Sequence, residues 1–224
     1  RSGIIDSSYL NYFETGKSQQ IMRNIAGHRL NWHFHKKWVI SISELVIYAN
    51  RSLEAAYLLP FIPLFSVQNY LNDTDNIFMS ADLQYNHKNH TRFYGSLLLD
   101  EWSPPYTFKK DNHNWFGWQI GFDWKNIYFQ QDKFQLEFTW TDHRVYHHKF
   151  EVNDVYSWGY PVGFWAGPHA EEIYIDYSFR FRDNRFVIIL SYSKRGEFTE
   201  SMRMDQYSGR PSEVPVYERF GTDN

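Results

Sequence analysis

Between Phe116 and Lys125 the chain reads F-G-W-Q-I-G-F-D-W-K. Phe116, Trp118, Ile120, Phe122 and Trp124 share one parity, and Gly117, Gln119, Gly121, Asp123 and Lys125 share the other. Side chains of a strand point alternately to opposite faces, so this is a strand with one aromatic face and one polar face. A bilayer suits that pairing, with lipid against the aromatic face and water or a polar plug against the other. The expectation is that Trp118, Ile120, Phe122 and Trp124 face hydrocarbon.

The alternation recurs. Leu30, Trp32 and Phe34 interleave with Arg29, Asn31, His33 and His35, and Ile77, Met79, Ala81, Leu83 and Tyr85 with Phe78, Ser80, Asp82 and Gln84. Phe93, Gly95, Leu97 and Leu99 follow the same rule with Leu98 as an exception, and so do Phe134 to Trp140 and Ile173 to Phe181. Phe186, Ile188, Leu190 and Tyr192 are less clean, because Val187 and Ile189 are also apolar. Trp38, Ile40 and Ile42 open a strand that changes phase near Glu44 to present Leu45 and Ile47, and a β-bulge is expected there.

Connections alternate in length. Tight turns follow Phe34, Tyr85 and Phe181, and a short link spans Asn126 to Asp132. Long segments run over Asn50–Asn76, Trp102–Asn114 and Asp142–Glu171. Short turns at one end and long loops at the other are the asymmetry of outer-membrane barrels, and eight or nine strands of ~10 residues suffice to cross a bilayer when tilted. Ser52 is placed to cap a short helix over Leu53–Leu59, stopped by Pro60, with Pro60 to Asn76 as loop. The expected organisation is residues 1–26 as an irregular segment or first strand, 27–195 as strands and loops, and 196–224 as a loop or last strand. The fold class is all-β: an antiparallel transmembrane outer-membrane β-barrel, or a large part of one, with long extracellular loops and a short loop helix.

Composition narrows the alternatives. Seventeen Tyr and nine Trp are residues of membrane–water interfaces and also of carbohydrate sites, where rings stack on sugars. Mean hydropathy of −0.61 is compatible with a barrel, whose loops and alternate strand residues are polar. No run approaches the ~18 apolar residues of a spanning helix. A net charge of −3 without a basic stripe argues against a nucleic-acid partner. The absence of cysteine excludes disulfides, thiolate metal sites and a Cys nucleophile. The first residue is Arg1, read here as a beginning removed by processing or truncation.

Candidate chemistry is sparse. Asp100–Glu101 and Glu171–Glu172 are adjacent in sequence, so their carboxyls diverge and do not flank a sugar bond as a glycosidase pair must. His143, His147 and His148, with His113 and His169, are expected as loop histidines in solvent, and no metal or cofactor is expected. Asn72-Asp73-Thr74-Asp75-Asn76 lacks the Gly and distal Glu of a calcium loop and reads as a turn entering the strand at Ile77. Arg29, Arg92, Arg180 and Arg182 are expected on the polar face, where they pair with carboxylates such as Asp82, Asp100, Asp123, Glu137, Glu172 and Asp176 or attract an anionic ligand. The loop aromatics are the binding candidates: Trp102, Tyr106, Trp158, Tyr160 and Trp165, with Phe164 beside them and His169 as a polar neighbour. They serve either as a stacking platform for sugar or as packing that closes the barrel.

Five ordered segments resemble the capsule-assembly outer-membrane (Wzi-like) family. They are G-H-R-L-N-W (27–32), S-E-L-V-I-Y (43–48), S-L-E-A-A-Y-L-L-P-F-I-P (52–63), L-L-L-D-E-W-S-P (97–104) and G-P-H-A-E-E-I-Y-I-D-Y (167–177). The resemblance implies a monomeric barrel in the bacterial outer membrane, blocked inside by helix and loops. It implies a lectin-like, non-enzymatic role in holding surface or capsular polysaccharide, with outer-membrane lipid and other outer-membrane proteins as further partners. A barrel of roughly sixteen to eighteen strands needs about twice this length, so the chain is expected to be part of one. The competing readings are a barrel subunit of a larger outer-membrane complex and a soluble aromatic-rich β-sandwich, lectin or glycosidase.

Overall fold

The computed structural model describes residues 2–5, 22–71, 74–88, 90–102, 114–148, 150–197 and 199. Nine strands form one antiparallel sheet: β1 (Ser2–Ile5), β2 (Arg23–Phe34), β3 (Trp38–Ala49), β4 (Asn76–His87), β5 (Thr91–Glu101), β6 (Trp115–Lys125), β7 (Lys133–Thr141), β10 (Ala170–Phe181) and β11 (Asn184–Arg195). Each pairs with its predecessor in that order, and a two-stranded hairpin, β8 (Tyr156–Ser157) with β9 (Tyr160–Pro161), lies between β7 and β10. The sheet is open, with β1 and β11 at its edges among the described residues. Of the terminal segments, residues 6–21, 198 and 200–224 lie outside the described residues.

The expected strands and their turn and loop order are present, with β2 starting at Arg23 rather than Gly27. The tight connections use left-handed backbone at His35, Lys36, Lys88 and Arg182. In the 126–132 link the Asp132 carboxylate accepts N–H groups of Ile127 (2.6 Å), Tyr128 (2.9 Å) and Phe129 (3.2 Å).

Register lines up the apolar residues across eight strands. Leu30 faces Ile42, which faces Ala81; Gly95 faces Ile120, Ile120 faces Phe138, Phe138 faces Ile173, and Ile173 faces Tyr192. Near the tight turns the row becomes aromatic: Trp38 pairs with Tyr85, Tyr85 with Phe93, Phe93 with Phe122, and Trp124 with Phe134. Near the long loops Trp118 pairs with Trp140. The row between them carries Ile40, Leu83, Gly95, Ile120 and Ile173, together with Trp32 and Phe138.

The burial on this sheet is inverted. The apolar face is exposed, with Leu30 at 64% and Ile120 at 54%, whereas on the polar face Asp123 is 4% and Glu172 8% exposed. The polar face is cross-linked. Arg29 pairs with Asp82 at 2.8 Å, and Arg92 pairs with Asp123. Ser43 and Ser80 hydroxyls meet at 2.5 Å, and the Gln119 amide donates to Thr139 at 3.1 Å. Tyr94 lies across Gly121, where an added Cβ would stand 2.6 Å from the ring, and donates to Glu137 at 2.5 Å. A side chain at 121 would therefore displace the Tyr94 ring. Two of the four arginines pair with carboxylates as expected; Arg182 lies instead over the Phe181 ring, 5.5 Å from its centroid.

No bulge forms at Glu44. β3 pairs without interruption from Trp38 to Ala49, and the change of phase has another cause: at the long-loop end both faces are covered. On the face continuous with Ile42, Ala26, Val46, Tyr48 and Ile77 pack against Tyr57, Leu64 and Val67 of the 51–71 segment. On the opposite face, Ile47, Phe78 and Trp115 pack against Val145, Tyr146 and Val155, with Leu45 and Leu98 alongside. Burying both parities makes both apolar, which is why Leu45, Ile47 and Leu98 break the alternation. The register shift instead falls in β5 between Leu99 and Glu101, leaving Asp100 as the additional residue.

The helix is also displaced from its expected place. Residues Ala55–Leu58 make one 3-10 turn, capped by the Glu54 side chain and not by Ser52. The α-helix, α1, is Leu64–Tyr70, within the stretch expected to be loop. Leu64 and Val67 supply its buried face, and Leu71 extends it. Asp75 fastens this segment: its carboxylate accepts from Arg51 and from the Tyr57 hydroxyl, and its carbonyl accepts from Gln68 at 2.6 Å. Asp75 is thus a structural anchor of the 72–76 stretch; Asn72 and Asp73 lie outside the described residues. Beside Asp75, burial opposes the charge on Arg51, but its bond to that carboxylate raises the guanidinium further. Burial and the same carboxylate push the Tyr57 hydroxyl far above its usual value.

Candidate functional site

The third long connection, 142–169, folds back over the polar face and forms a plug. Its first turn is built on a buried ion pair: Arg144 Nε and Nη2 donate to Asp142 Oδ1 (2.8 Å) and Oδ2 (2.9 Å). Burial opposes ionisation of Asp142, yet the Arg144 guanidinium outweighs it and holds the carboxyl below its ordinary range. Tyr146 follows in left-handed backbone, φ +73°, with its N–H donating to Asp100 Oδ2 at 2.6 Å. Its ring packs on Phe78, and its hydroxyl accepts the Phe164 N–H at 3.0 Å. Gly163 lets this hydroxyl in, since a Cβ there would lie 2.6 Å from it. Burial pushes the Tyr146 hydroxyl up; the Phe164 N–H opposes it, and the charge of Asp100 adds to the rise.

Asp154 ties the middle of the plug. It accepts the His148 N–H at 2.8 Å and lies 3.2 Å from His147 Nδ1. Arg23 of β2 reaches across to the Asp154 and Tyr156 carbonyls, and Asn76 of β4 donates to the Asn153 carbonyl at 3.0 Å. Thr141 closes the exit, donating to Gly167 O at 2.9 Å and accepting Ala170 N–H at 3.1 Å.

The loop histidines are therefore not in solvent. His143, His147, His148 and His169 are all buried, because the plug is a packed layer and their ring nitrogens serve its polar contacts. His113 lies outside the described residues, and among those described no three His, Cys, Asp or Glu side chains group as a metal site.

Between the plug and the strands lies a cavity of ≈ 810 Å³. Phe164 and Trp165 border it on the plug side. Gln119, Glu137, Thr139, Glu172 and Ser191 border it on the sheet side. Glu172 is held at both oxygens: Oε2 accepts the Trp165 indole N–H at 3.0 Å, and Oε1 accepts the Ser191 hydroxyl at 2.9 Å. Among the described residues no Lys or Arg lines the cavity. An aromatic plane beside carboxylates, amides and hydroxyls has the donors and acceptors to hold a hydroxyl-rich, uncharged ligand, and its two carboxylates repel an anion.

The candidate aromatics are not gathered into one platform. Trp165 borders the cavity. Trp158 and Tyr160 are exposed on the β8–β9 hairpin, whose two turn residues Trp158 (φ +53°) and Gly159 (φ +78°) have the type I′ signature. Trp102 is exposed just beyond β5, and Tyr106 lies outside the described residues. His169 is a correction: its ring is buried against His143 and Gly196, with Nδ1 3.1 Å from the Glu197 carbonyl, so it serves packing and presents no edge to a ligand. Glu172, Glu137, Gln119 and Ser191 were missed as cavity residues. Their one legible signal is parity, since all four belong to the polar face.

None of the family models, curated proteins or solved structures compared with the chain matches it.

Proposed function

We propose that this chain is an arc of a bacterial outer-membrane β-barrel. Its plugged interior binds surface polysaccharide without acting on it chemically. One observation carries the reading: large apolar side chains are exposed on β2 to β6, β10 and β11, while polar residues of the opposite face such as Asp123, Thr139 and Glu172 are buried and bonded to their neighbours. Water inverts neither preference; lipid on one side and an enclosed polar interior on the other account for both. Two features support it further. The exposed face carries aromatic residues toward both strand ends, as interfaces favour. Strands of about 12 residues span ~40 Å, or close to 30 Å when tilted by ~45°, a bilayer's hydrocarbon depth. The resemblance to the Wzi-like family points to the same location and to a saccharide ligand.

The saccharide contact is assigned to the cavity under Trp165, in preference to the hairpin tip at Trp158. Indole stacking and Glu172 as acceptor suit a neutral sugar stretch. The test is titration of the folded chain in detergent micelles with a purified neutral polysaccharide. Glu172→Gln removes a charge-assisted acceptor worth ~1.5–3 kcal/mol, so affinity falls ~10- to 100-fold. Trp165→Ala weakens binding as well, while Trp158→Ala leaves it unchanged. Unaltered affinity in folded Glu172→Gln and Trp165→Ala chains refutes the site, and affinity only for a protein partner shifts the role to a subunit of a larger complex.

A further inference from the structure

The 51–71 segment has two apolar sides. One packs on the sheet through Tyr57, Leu64 and Val67. Among the described residues the other has nothing over it: Leu58, Leu59, Phe61, Ile62 and Phe65 are exposed, Phe61 at 94%. No charged residue lies between Glu54 and Asp73, and Glu54 is occupied as the cap of the 3-10 turn. Pro60 and Pro63 bracket Phe61 and Ile62 and restrict the backbone that carries them. This is a rigid, uncharged apolar ridge, of a kind soluble surfaces avoid.

Its position indicates the occupant. The segment covers Ala26, Val46 and Ile77, which by register lie on the same face as the exposed residues Leu30 and Ile42. Pro60 and Phe61 border a cavity together with His28, Leu30, Glu44 and Met79 of that face. The ridge therefore adjoins the sheet's exposed apolar surface at its long-loop end, with the row His28, Glu44 and Met79 between it and Leu30 and Ile42. Glu44 in this border is satisfied, accepting the Leu64 N–H at 2.8 Å.

We infer that residues 58–65 are an interfacial anchor, with Phe61 at its crest, that inserts into the headgroup–acyl boundary of the leaflet at the long-loop end. This rests on the lipid-facing reading of the sheet. A segment lying in the interface with apolar residues directed into the acyl boundary gains binding from that buried area. It would fix the height of the barrel in the bilayer and hold the long-loop end against the membrane, so that β2–β4 do not rock as the plug takes up ligand.

The chain has no cysteine, so single cysteines report unambiguously. Phe61→Cys, Ile120→Cys and Trp158→Cys are labelled with a bimane fluorophore and the full chain is reconstituted in phosphatidylcholine vesicles carrying doxyl groups at shallow or deep acyl positions. At Ile120 the deep quencher removes most of the emission. At Phe61 the shallow quencher does, and the deep one much less. At Trp158 neither acts. Leu58→Cys repeats the Phe61 pattern and guards against a local defect. Quenching at Ile120 with none at Phe61 and Leu58 overturns the anchor and leaves the sheet reading standing. If those two labels then self-quench, the ridge is covered by a second copy. No quenching at Ile120 overturns the sheet reading, and the anchor with it.

Discussion

In β3, Val46 and Tyr48 are buried under the 51–71 segment and Ile47 is buried under the plug, yet Trp38, Ile40 and Ile42 of the same strand stand exposed. The long-loop end is organised as three layers, segment on sheet on plug, with apolar residues between them. The tight-turn end is a single layer with its hydrophobic residues outward and its polar residues inward. Hydrophobic burial is satisfied by protein at one end and, on our reading, by lipid at the other. The same alternating strand serves both, so a side chain's parity alone does not say what it touches; its distance along the strand does.

The comparison predicts where substitutions hurt. The largest effect belongs to the three-layer end: Leu64→Ala empties a fully buried site and costs about 2–5 kcal/mol, read by denaturant unfolding. A cost below ~1 kcal/mol would mean that α1 does not hold that end together. Next, Ile120→Arg on the exposed face costs about 2–4 kcal/mol in a bilayer if it sits near the midplane, and Gln119→Arg on the polar face costs less. Equal costs at 119 and 120 would erase the distinction between the two faces. Asp100→Ala strands the buried Tyr146 N–H and costs about 1–3 kcal/mol, loosening the plug while the strands persist. Proteolysis within 142–169 should rise, with strand signals unchanged.

The pH dependence of the plug is next. Asp142 is held below its ordinary value by Arg144. Its contribution is fully present above the unfolded carboxylate value of ~3.9 and is lost as pH falls through the lower folded value. The plug should therefore loosen on acidification below about pH 4, and Asp142→Asn should remove that step. A step that persists in Asp142→Asn assigns the sensitivity elsewhere. The smallest effect is at the half-exposed Arg29–Asp82 pair, where a double-mutant cycle should give ~1 kcal/mol or less.

The sheet was largely legible from sequence because period two is a strong signal and hairpins leave turn residues between strands. Trp118, Ile120 and Trp124 share one side of β6 for that reason. What escaped depends on contacts between distant segments. The phase change at Glu44 reads as a bulge only while Ile47 is imagined facing solvent; with Val145 and Val155 against it, no bulge is needed. The actual bulge at Asp100 leaves no period-two trace, since it falls at a strand end, where the pattern runs out. α1 is too short for its Leu64–Val67 spacing to stand out beside Pro60 and Pro63. The histidines read as exposed because loops usually are, and nothing local announces that Asp154, Arg23 and Asn76 will draw 142–169 onto the polar face. Of the binding candidates, Trp165 was visible as an aromatic in a Gly/Pro-shaped loop, but its partner Glu172 was recognisable only as a polar-face carboxylate and half of an unproductive pair.

The central claim is that the exposed face of the sheet meets lipid. A nitroxide scan along β6, placing single labels from Phe116 to Lys125 in the bilayer-reconstituted chain, tests it most directly. The account predicts oxygen accessibility that peaks at 118, 120, 122 and 124, is deepest near 120, and exceeds accessibility to a water-soluble nickel chelate there, with both collision rates low at 117, 119, 121 and 123. Even-numbered labels that collide freely with the nickel chelate, or a chain that folds to the same sheet in buffer without detergent or lipid, would contradict it.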